Sequence, residues 1–259
     1  MDFAEVVSDP DTWKLVAVLS LGIFVQAAAG FAAGLLIVPL LLWAGYTIPE
    51  AQTSLLVATV PQNIWGVISF RDSLEGKRLI APGAARLLFL PVGVLTLQWM
   101  ESFSVMTLRQ VVGAAVLLAT IANLFFRPTP RKSVAAFWGF LAFPLSGFMQ
   151  GLVGMGGPPM VLWVQAHDWD TRRSRGFLFS MYLISLAPGI AVLVWFFGAR
   201  VIPPALIAGA AIPILLVVTW AGLRVGTALG TERLRRVTMA LLLLMGLAGL
   251  AAPWLTPPT

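Results

Sequence analysis

Long apolar stretches dominate the chain, and they follow the same order in both of its halves. Each half begins with one very long stretch, at 13–47 in the first half and at 134–166 in the second. Three stretches of about 20 residues follow each of them, which is the length of an α-helix that spans a membrane. They cover 50–70, 79–99 and 106–126, then 176–198, 203–223 and 234–252. The pattern predicts helices rather than the short alternating strands of a barrel.

The two long stretches exceed the length of one straight transmembrane helix. At about 1.5 Å per residue each would approach ~50 Å, against a hydrocarbon core of about 30 Å. Glycine interrupts the first stretch near its middle, at Gly30 and Gly34. The interruption of the second stretch contains Gly151, Gly154, Gly156, Gly157, Pro158 and Pro159. Because these residue types favour a break, we predict two short helices joined by a turn in each stretch, either re-entrant or crossing twice.

The two halves also resemble each other in sequence. Gln26–Gly30 aligns with Gln150–Gly154 at an offset of 124 residues, and the order and lengths of the apolar stretches match. A segment with the composition of a linker, Arg127–Lys132, lies close to the midpoint. These features favour an internal duplication. The predicted parts are a first transmembrane repeat at 1–126, a cytoplasmic linker at 127–133 and a second transmembrane repeat at 134–259.

The composition is that of an integral membrane protein. Of 259 residues, 59% are hydrophobic and 11% are charged, whereas soluble domains contain about 25% charged residues. The absence of cysteine and the single histidine exclude disulfides, thiolate nucleophiles and metal sites with several Cys or His ligands. The expected fold class is all-α: a polytopic helical membrane protein with two inverted repeats, each with a broken or re-entrant first segment and three transmembrane helices.

The positions of Lys and Arg predict how the chain is oriented. If each long stretch starts and ends on the same side, thirteen loop cations fall on one side and three on the other. If each long stretch crosses once, the split becomes eight against eight. Because cytoplasmic loops are enriched in Lys and Arg, we favour the first arrangement. It places both termini outside and gives the halves opposite orientations, as in many secondary transporters.

Polar residues near the two interruptions are the candidate substrate-binding residues. A helix that starts inside the membrane presents unpaired N–H groups and a partial positive charge, which suit an anion. Gln26 and Gln150 each lie one helical turn before an interruption, where an amide can donate to an oxyanion or cap exposed carbonyls. Close helix packing is the alternative role of the glycines. The full set is Gln26, Gly30, Gly34, Thr53, Ser54, Gln62, Asn63, Arg86, Gln150, Gly154, Gly156, Gly157, Pro158, Ser180 and Tyr182.

Hydroxyl and amide side chains on two predicted helices are candidates to line a substrate path. Hydrogen bonding between helices is the commoner role of such side chains inside a membrane, and both roles stay open. On the first helix they are Thr53, Ser54, Gln62 and Asn63, and on its counterpart Ser180, Tyr182 and Ser185.

Arg86 is the one charge that lies well inside a predicted span. It is about 10 Å from the cytoplasmic start of its helix, so we expect its side chain to snorkel toward the interface. A role in balancing an anion in transit is the alternative. All eleven Asp and Glu fall in termini, loops or helix ends. Because cation paths and proton relays need carboxylates at depth, the substrate is expected to be an anion.

Two glycine-rich segments resemble the TauE/SafE sulfite exporter family. The first is Gly30-Phe-Ala-Ala-Gly34-Leu-Leu-Ile-Val-Pro39, followed by Ala51-Gln-Thr-Ser54, and the second is Gly147-Phe-Met-Gln-Gly151-Leu-Val-Gly154-Met-Gly-Gly157-Pro158. Ala32 and Ala33 stand where glycine is common in the family. The resemblance covers nearly the whole chain. It implies a transporter of the bacterial inner membrane that moves sulfite, sulfonates or related organosulfur anions, usually outward.

The expected function is therefore secondary transport of a small sulfur-containing anion, such as sulfite or sulfoacetate. The substrate would be held at the broken-helix ends near the midplane and exported by alternating access; a passive anion channel with the same site is the alternative. An enzyme is disfavoured, because the chain lacks a buried acid pair, a set of metal ligands and a thiol. The expected partners are the small anion and the lipid bilayer, with no nucleic acid and no cofactor; a homodimer is left open.

Overall fold

Helices occupy the apolar stretches of the sequence. The computed structural model describes residues 8–29, 33–73, 75–126, 128–229 and 231–255. In the first half, the α-helices are α1 (Pro10–Ala29), α2 (Ala33–Trp43), α3 (Ile48–Ser69), α4 (Gly76–Met100) and α5 (Val105–Phe125). In the second half, they are α6 (Ala136–Val153), α7 (Gly157–Gln165), α8 (Thr171–Phe197), α9 (Ile202–Ala210), α10 (Ile212–Leu229), α11 (Thr231–Leu250) and α12 (Ala252–Leu255). The all-α fold class is confirmed.

Several of these helices are long and apolar enough to cross a membrane. Within the described ranges there are five such candidates: Pro10–Ala29, Gly76–Met100, Val105–Phe125, Ala136–Val153 and the combined segment Thr171–Ala210. This confirms a polytopic helical membrane protein. Each long stretch therefore pairs one helix of full membrane length, α1 or α6, with a shorter helix, α2 or α7. The expectation that both helices of a pair are short was wrong for the first member.

Both long stretches turn back on themselves. A Cβ atom on Gly22 of α1 would lie 2.2 Å from the Ile37 Cγ1 atom of α2. In the second stretch, the rings of Phe143 on α6 and Trp163 on α7 are 4.9 Å apart. In a continuous helix the two pairs would be separated by about 22 Å and about 30 Å. The stretches are therefore helical hairpins.

Each hairpin begins and ends at the same end of the bundle. The Tyr46 hydroxyl, which follows α2, donates to the Asp11 carbonyl in the first turn of α1, at 2.7 Å. Burial, aided by nearby carboxylates, raises the pKa of Tyr46 from its ordinary value near 10 to about 12. In the second hairpin, the Arg131 N–H donates to the Ala166 carbonyl and the Asp168 N–H donates to the Arg131 carbonyl. The positions of Lys and Arg favoured this arrangement.

Ion pairs mark the two ends of the bundle. At the Asp11 end, Arg200 pairs with Glu101 and lines a cleft of about 560 Å³ together with Asp11 and Tyr46. At the Glu75 end, Arg173 pairs with Glu75. The Ser73 hydroxyl donates to the Arg172 carbonyl here, and the Arg131 backbone pairs with Ala166 and Asp168, so the loops before α4, α6 and α8 meet at this end.

Glycine lets helices from different halves approach each other backbone to backbone. Where α4 packs along α6, a Cβ atom on Gly93 would lie 2.1 Å from the Phe148 carbonyl oxygen. Where α10 packs along α1, a Cβ atom on Gly222 would lie 2.7 Å from the Phe24 carbonyl oxygen. Phe24 and Phe148 differ by 124 positions, the offset of the sequence alignment. Two-fold related halves would produce such matched contacts; the boundaries of the repeats stay a prediction.

The structure differs from the single span predicted at 203–223. It divides this segment into α9 and α10 at Ala211, and α10 continues to Leu229. Pro213 has no N–H to donate to the carbonyl four residues earlier. The interruption between α9 and α10 follows from that missing hydrogen bond.

Replacing Gly93 by alanine is expected to destabilise the protein, because the new Cβ atom would overlap the Phe148 carbonyl and force α4 away from α6. The expected loss is about 1–3 kcal/mol, measured as a lower melting temperature in detergent. Gly76→Ala on the same helix is the matched control, since no atom lies within 4 Å of a Cβ atom there. Equal melting temperatures for the two variants would contradict the prediction.

Candidate functional site

The start of α2 in the first hairpin and the end of α6 in the second hairpin meet inside the bundle. A Cβ atom on Gly34, in the first turn of α2, would lie 2.7 Å from the carbonyl oxygen of Gly154 at the end of α6. Gly154 has a φ of 71°, in the left-handed region that glycine adopts most easily, and it ends α6. Gly156 then caps the start of α7. The two interruptions found in the sequence are therefore neighbours in the structure, at Gly34 and Gly154.

The sequence restricts the hydrogen-bond donors at the start of α7. The first N–H groups of an α-helix have no partner within the helix, but Pro158 and Pro159 carry no N–H at all. Gly156 and Gly157 are therefore the residues that can donate before Met160. A donor pair of this kind at a helix N-terminus attracts an anion.

Arg86 lies at this point and is fully buried. Its side chain is 1% exposed and is the bulkiest fully buried one among the described residues. Gly147 of α6 lets α4 approach closely, because a Cβ atom on Gly147 would lie 2.1 Å from the Arg86 carbonyl oxygen. The expectation that Arg86 snorkels was wrong, because its guanidinium makes its hydrogen bonds inside the bundle.

Neutral acceptors surround the guanidinium of Arg86. They are the Ser185 hydroxyl on Nε (3.0 Å), the Gln150 Oε1 atom on Nη2 (3.3 Å), and the Ser146 hydroxyl, the Met160 sulfur (2.8 Å) and the Gly156 carbonyl (3.4 Å) on Nη1. The Tyr182 ring centroid lies 5.7 Å from the Arg86 Cζ atom. In the part of the chain that the structure describes, no ion pair involves Arg86. The site therefore holds one buried positive charge without a counter-charge.

Gln150 connects Arg86 to the start of α7. Its Oε1 atom accepts from the Gly156 N–H at 3.3 Å and from the Arg86 Nη2 atom at 3.3 Å. Both partners can only donate, so the atom between them must be the amide oxygen. The sequence suggested that Gln150 donates to an oxyanion or caps carbonyls; in the structure it accepts at a helix N-terminus.

The comparison with known families bears on what this site serves. The family described as sulfite exporter TauE/SafE matches residues 15–249, which is nearly the whole chain. The chain belongs to the TauE/SafE family. No curated protein and no solved structure matches it. The match confirms the resemblance seen in the two glycine-rich segments and makes the chain a transporter of the sulfite-exporter type.

In this TauE/SafE protein the predicted site residues fall into separate groups. Arg86, Gln150, Gly156, Gly157 and Tyr182 come together, since a Cβ atom on Gly157 would lie 2.7 Å from the Tyr182 hydroxyl. Gly34 and Gly154 form the contact between the hairpins, and Pro158 lies in the first turn of α7. Gln26 is half-buried near the end of α1. Gly30 lies outside the described residues.

The predicted lining residues of α3 and α8 form two groups. Thr53 and Ser54 are buried, and their hydroxyls donate to carbonyls of their own helix at 2.8 Å. Gln62, Asn63 and Ser180 each have a buried side-chain oxygen without a hydrogen-bond partner. These three lie close in sequence to the contact between Gly66 of α3 and Phe179 of α8.

Three residues that contact the site were not among the candidates from the sequence. Ser146 and Met160 accept from Arg86. The Gln52 Nε2 atom donates to the Gly151 carbonyl at 3.3 Å, and Gln52 lies against Gly154. The spacing of four between Ser146 and Gln150 was a signal for the first, because such residues share a helix face. Gln52 lies within the family segment Ala51–Ser54, beside residues that were selected.

Arg86→Met is expected to leave the protein as stable as the wild type, or up to about 4 kcal/mol more stable, because it removes an uncompensated buried charge. Thermal unfolding in detergent measures this. Arg71→Met is the matched control, since the Arg71 side chain is 76% exposed. A loss of more than about 3 kcal/mol for Arg86→Met alone would indicate that the arginine is held for packing.

Proposed function

We propose that the protein is a secondary transporter that exports a small sulfur-containing anion by alternating access, and that it is not an enzyme. Sulfite, sulfoacetate and related organosulfonates are the proposed substrates. The observation that carries the proposal is the buried charge of Arg86 at the start of α7, with neutral partners. An ionisable group at such depth is retained where it serves a function, and an anion would supply the missing counter-charge.

The chemistry around Arg86 suits an oxygen-rich anion. A guanidinium presents N–H donors in a planar fork that matches two oxygens of one oxyanion. The N–H groups of Gly156 and Gly157 add donors from the helix N-terminus, and its dipole adds a partial positive charge. The proposed substrate site consists of the residues predicted from the sequence (Gln26, Gly30, Gly34, Thr53, Ser54, Gln62, Asn63, Arg86, Gln150, Gly154, Gly156, Gly157, Pro158, Ser180 and Tyr182), with Ser146 and Ser185 added.

The paired hairpins suggest how access alternates. We assign 1–126 and 134–259 to inverted repeats joined by a cytoplasmic linker at 127–133, and the substrate to the contact between the hairpins. Because α4 packs backbone to backbone on α6, α4 would move with the hairpin α6–α7. For the same reason α10 would move with α1–α2. Rocking of these two units would open the site to one side at a time.

A passive anion channel with the same site is the second candidate. The neutral acceptors that already hold the guanidinium favour the carrier, because an open pore would leave the charge to water and passing ions. Saturation separates the two functions: a carrier exchanges labelled for unlabelled anion and saturates, whereas a channel conducts without saturating.

In liposomes that contain the purified protein, we expect saturable counterflow of radiolabelled sulfite or sulfoacetate. Arg86→Lys should lower the rate at subsaturating substrate by about tenfold or more, because an ammonium lacks the planar fork. Arg71→Lys, at an exposed position, is the control and should transport as the wild type does. Non-saturating conductance would replace the carrier with the channel, and an absence of any sulfur-anion flux would refute both.

We also place the protein in the bacterial inner membrane with both termini outside. The enrichment of Lys and Arg at the Glu75 end supports this orientation, since that end would then be cytoplasmic.

Single cysteines test the orientation, because the natural chain contains none. Ser102→Cys, next to Glu101, should react with a membrane-impermeant maleimide in intact cells. Lys132→Cys, next to Arg131, should react only after the membrane is permeabilised. The reverse pattern would invert the topology, and labelling of both positions in intact cells would show that α5 does not cross the membrane.

A further inference from the structure

We infer that the amide oxygen of Gln150 takes the place of a substrate oxygen whenever no anion is bound, so that Gln150 competes with the substrate. The inference deepens the proposed function and rests on it, because it requires an oxyanion to bind at Arg86.

The position of the Gln150 Oε1 atom carries the inference. It accepts from the buried guanidinium and from the N–H of Gly156 at the same time. These are the two donors that an oxyanion at this helix N-terminus would use. One oxygen atom of a sulfite or sulfonate group placed at the Oε1 position would receive both hydrogen bonds.

The lengths of these hydrogen bonds indicate that the amide oxygen can be displaced. Both are 3.3 Å, whereas a charge-assisted N–H···O bond to an anionic oxygen is about 2.7–2.9 Å. The contact from Arg86 Nη1 to the Gly156 carbonyl is similarly long, at 3.4 Å. A second substrate oxygen would replace that contact. The ligand class is therefore an anion with at least two oxygens on one atom, as in sulfite and sulfonates.

The surroundings explain why a neutral side chain fills this role. A bare guanidinium would be costly to bury, so the carrier needs an acceptor there when it returns without substrate. Gln150 supplies an oxygen without supplying a charge, and an anion therefore outcompetes it. Gly156 leaves space for the exchange because it has no Cβ atom. A Cβ atom there would crowd both partners, at 2.9 Å from the Gln150 Cβ atom and 3.0 Å from the Arg86 Nη2 atom.

Competition gives substitutions at Gln150 an unusual sign. Without the amide oxygen, the substrate no longer has a rival, so the apparent affinity should rise. The unloaded return step should slow, because Arg86 then loses an acceptor. If Gln150 simply bound the substrate, its loss would lower the apparent affinity instead. The rates of counterflow and net efflux would then fall together.

The experiment measures sulfite and methanesulfonate with the full-length protein in liposomes, in two modes. Gln150→Ala and the bulkier Gln150→Leu should lower the half-saturating concentration in counterflow by about threefold or more, since the competing state is removed. Net efflux, which requires the unloaded return, should fall by about fivefold or more relative to counterflow. Gln110→Ala is the matched control, because Gln110 is outside the site and its side chain bonds the Leu250 carbonyl.

Gln150→Glu supplies a second measurement should the shorter side chains impair folding. Its carboxylate is expected to pair with Arg86, so the melting temperature without ligand should rise and stabilisation by sulfite should disappear. Gln110→Glu should show neither change. Stabilisation of Gln150→Glu by sulfite equal to that of the wild type would overturn the inference.

The outcomes separate this inference from the proposed function. If wild-type protein transports sulfite but both Gln150→Ala and Gln150→Leu raise the half-saturating concentration, Gln150 is a ligand and the competition is refuted alone. A uniform fall in counterflow and net efflux would refute it in the same way. If the wild type neither binds nor transports sulfite or methanesulfonate, the proposed function falls, and the inference with it.

Discussion

A buried arginine without a carboxylate partner is the constraint on which the interior of this protein depends. Arg86 lies where α4, α6, α7 and α8 meet, and each of its hydrogen bonds goes to a hydroxyl, an amide, a carbonyl or a sulfur. Several other contacts serve this arrangement. The Ser185 hydroxyl also donates to the Met181 carbonyl, and the Ser146 hydroxyl also donates to the Gly156 carbonyl. Ser185 is thus held by its own helix, and Ser146 is held by the residue that caps α7.

Glycine determines where that charge can be placed. Gly147 and Gly151 let α6 lie directly on the backbone of α4, which brings the side chain of Arg86 to the break at Gly154. A β-carbon at either position would move α6 away and open the site. Close contact through small residues is the main way that helices associate inside membranes, where burial of apolar surface gives no advantage. In this protein the same contacts therefore hold the bundle together and build the site.

The fold could be predicted from the sequence because its signals are long or repeated. The apolar stretches gave the helices, and the balance of Lys and Arg indicated hairpins that return to their starting side. The lengths of the hairpin arms and the division at Ala211 were missed, since single residues such as Pro213 decide them. The site was predicted only in part. Glycine and proline marked the break, and Arg86 was among the candidates. That Arg86 turns inward, and that Gln150 accepts rather than donates, depends on the packing of α4 against α6, which has no local pattern in the sequence.

The short backbone pairing between Arg131 and the residues that follow α7 has a mechanical consequence. The Arg131 N–H and carbonyl are hydrogen-bonded to Ala166 and Asp168, so the segment that joins the two halves is anchored at this residue. Its backbone is hydrogen-bonded to the residues that follow α7, at the end of the α6–α7 hairpin where both helices have their outer ends. A displacement of the joining segment is thereby transmitted along α7, whose opposite end begins at the Gly156 N–H. An insertion before Arg131 would leave these hydrogen bonds in place. An insertion between Arg131 and α6 would instead uncouple the α6–α7 hairpin from the joining segment.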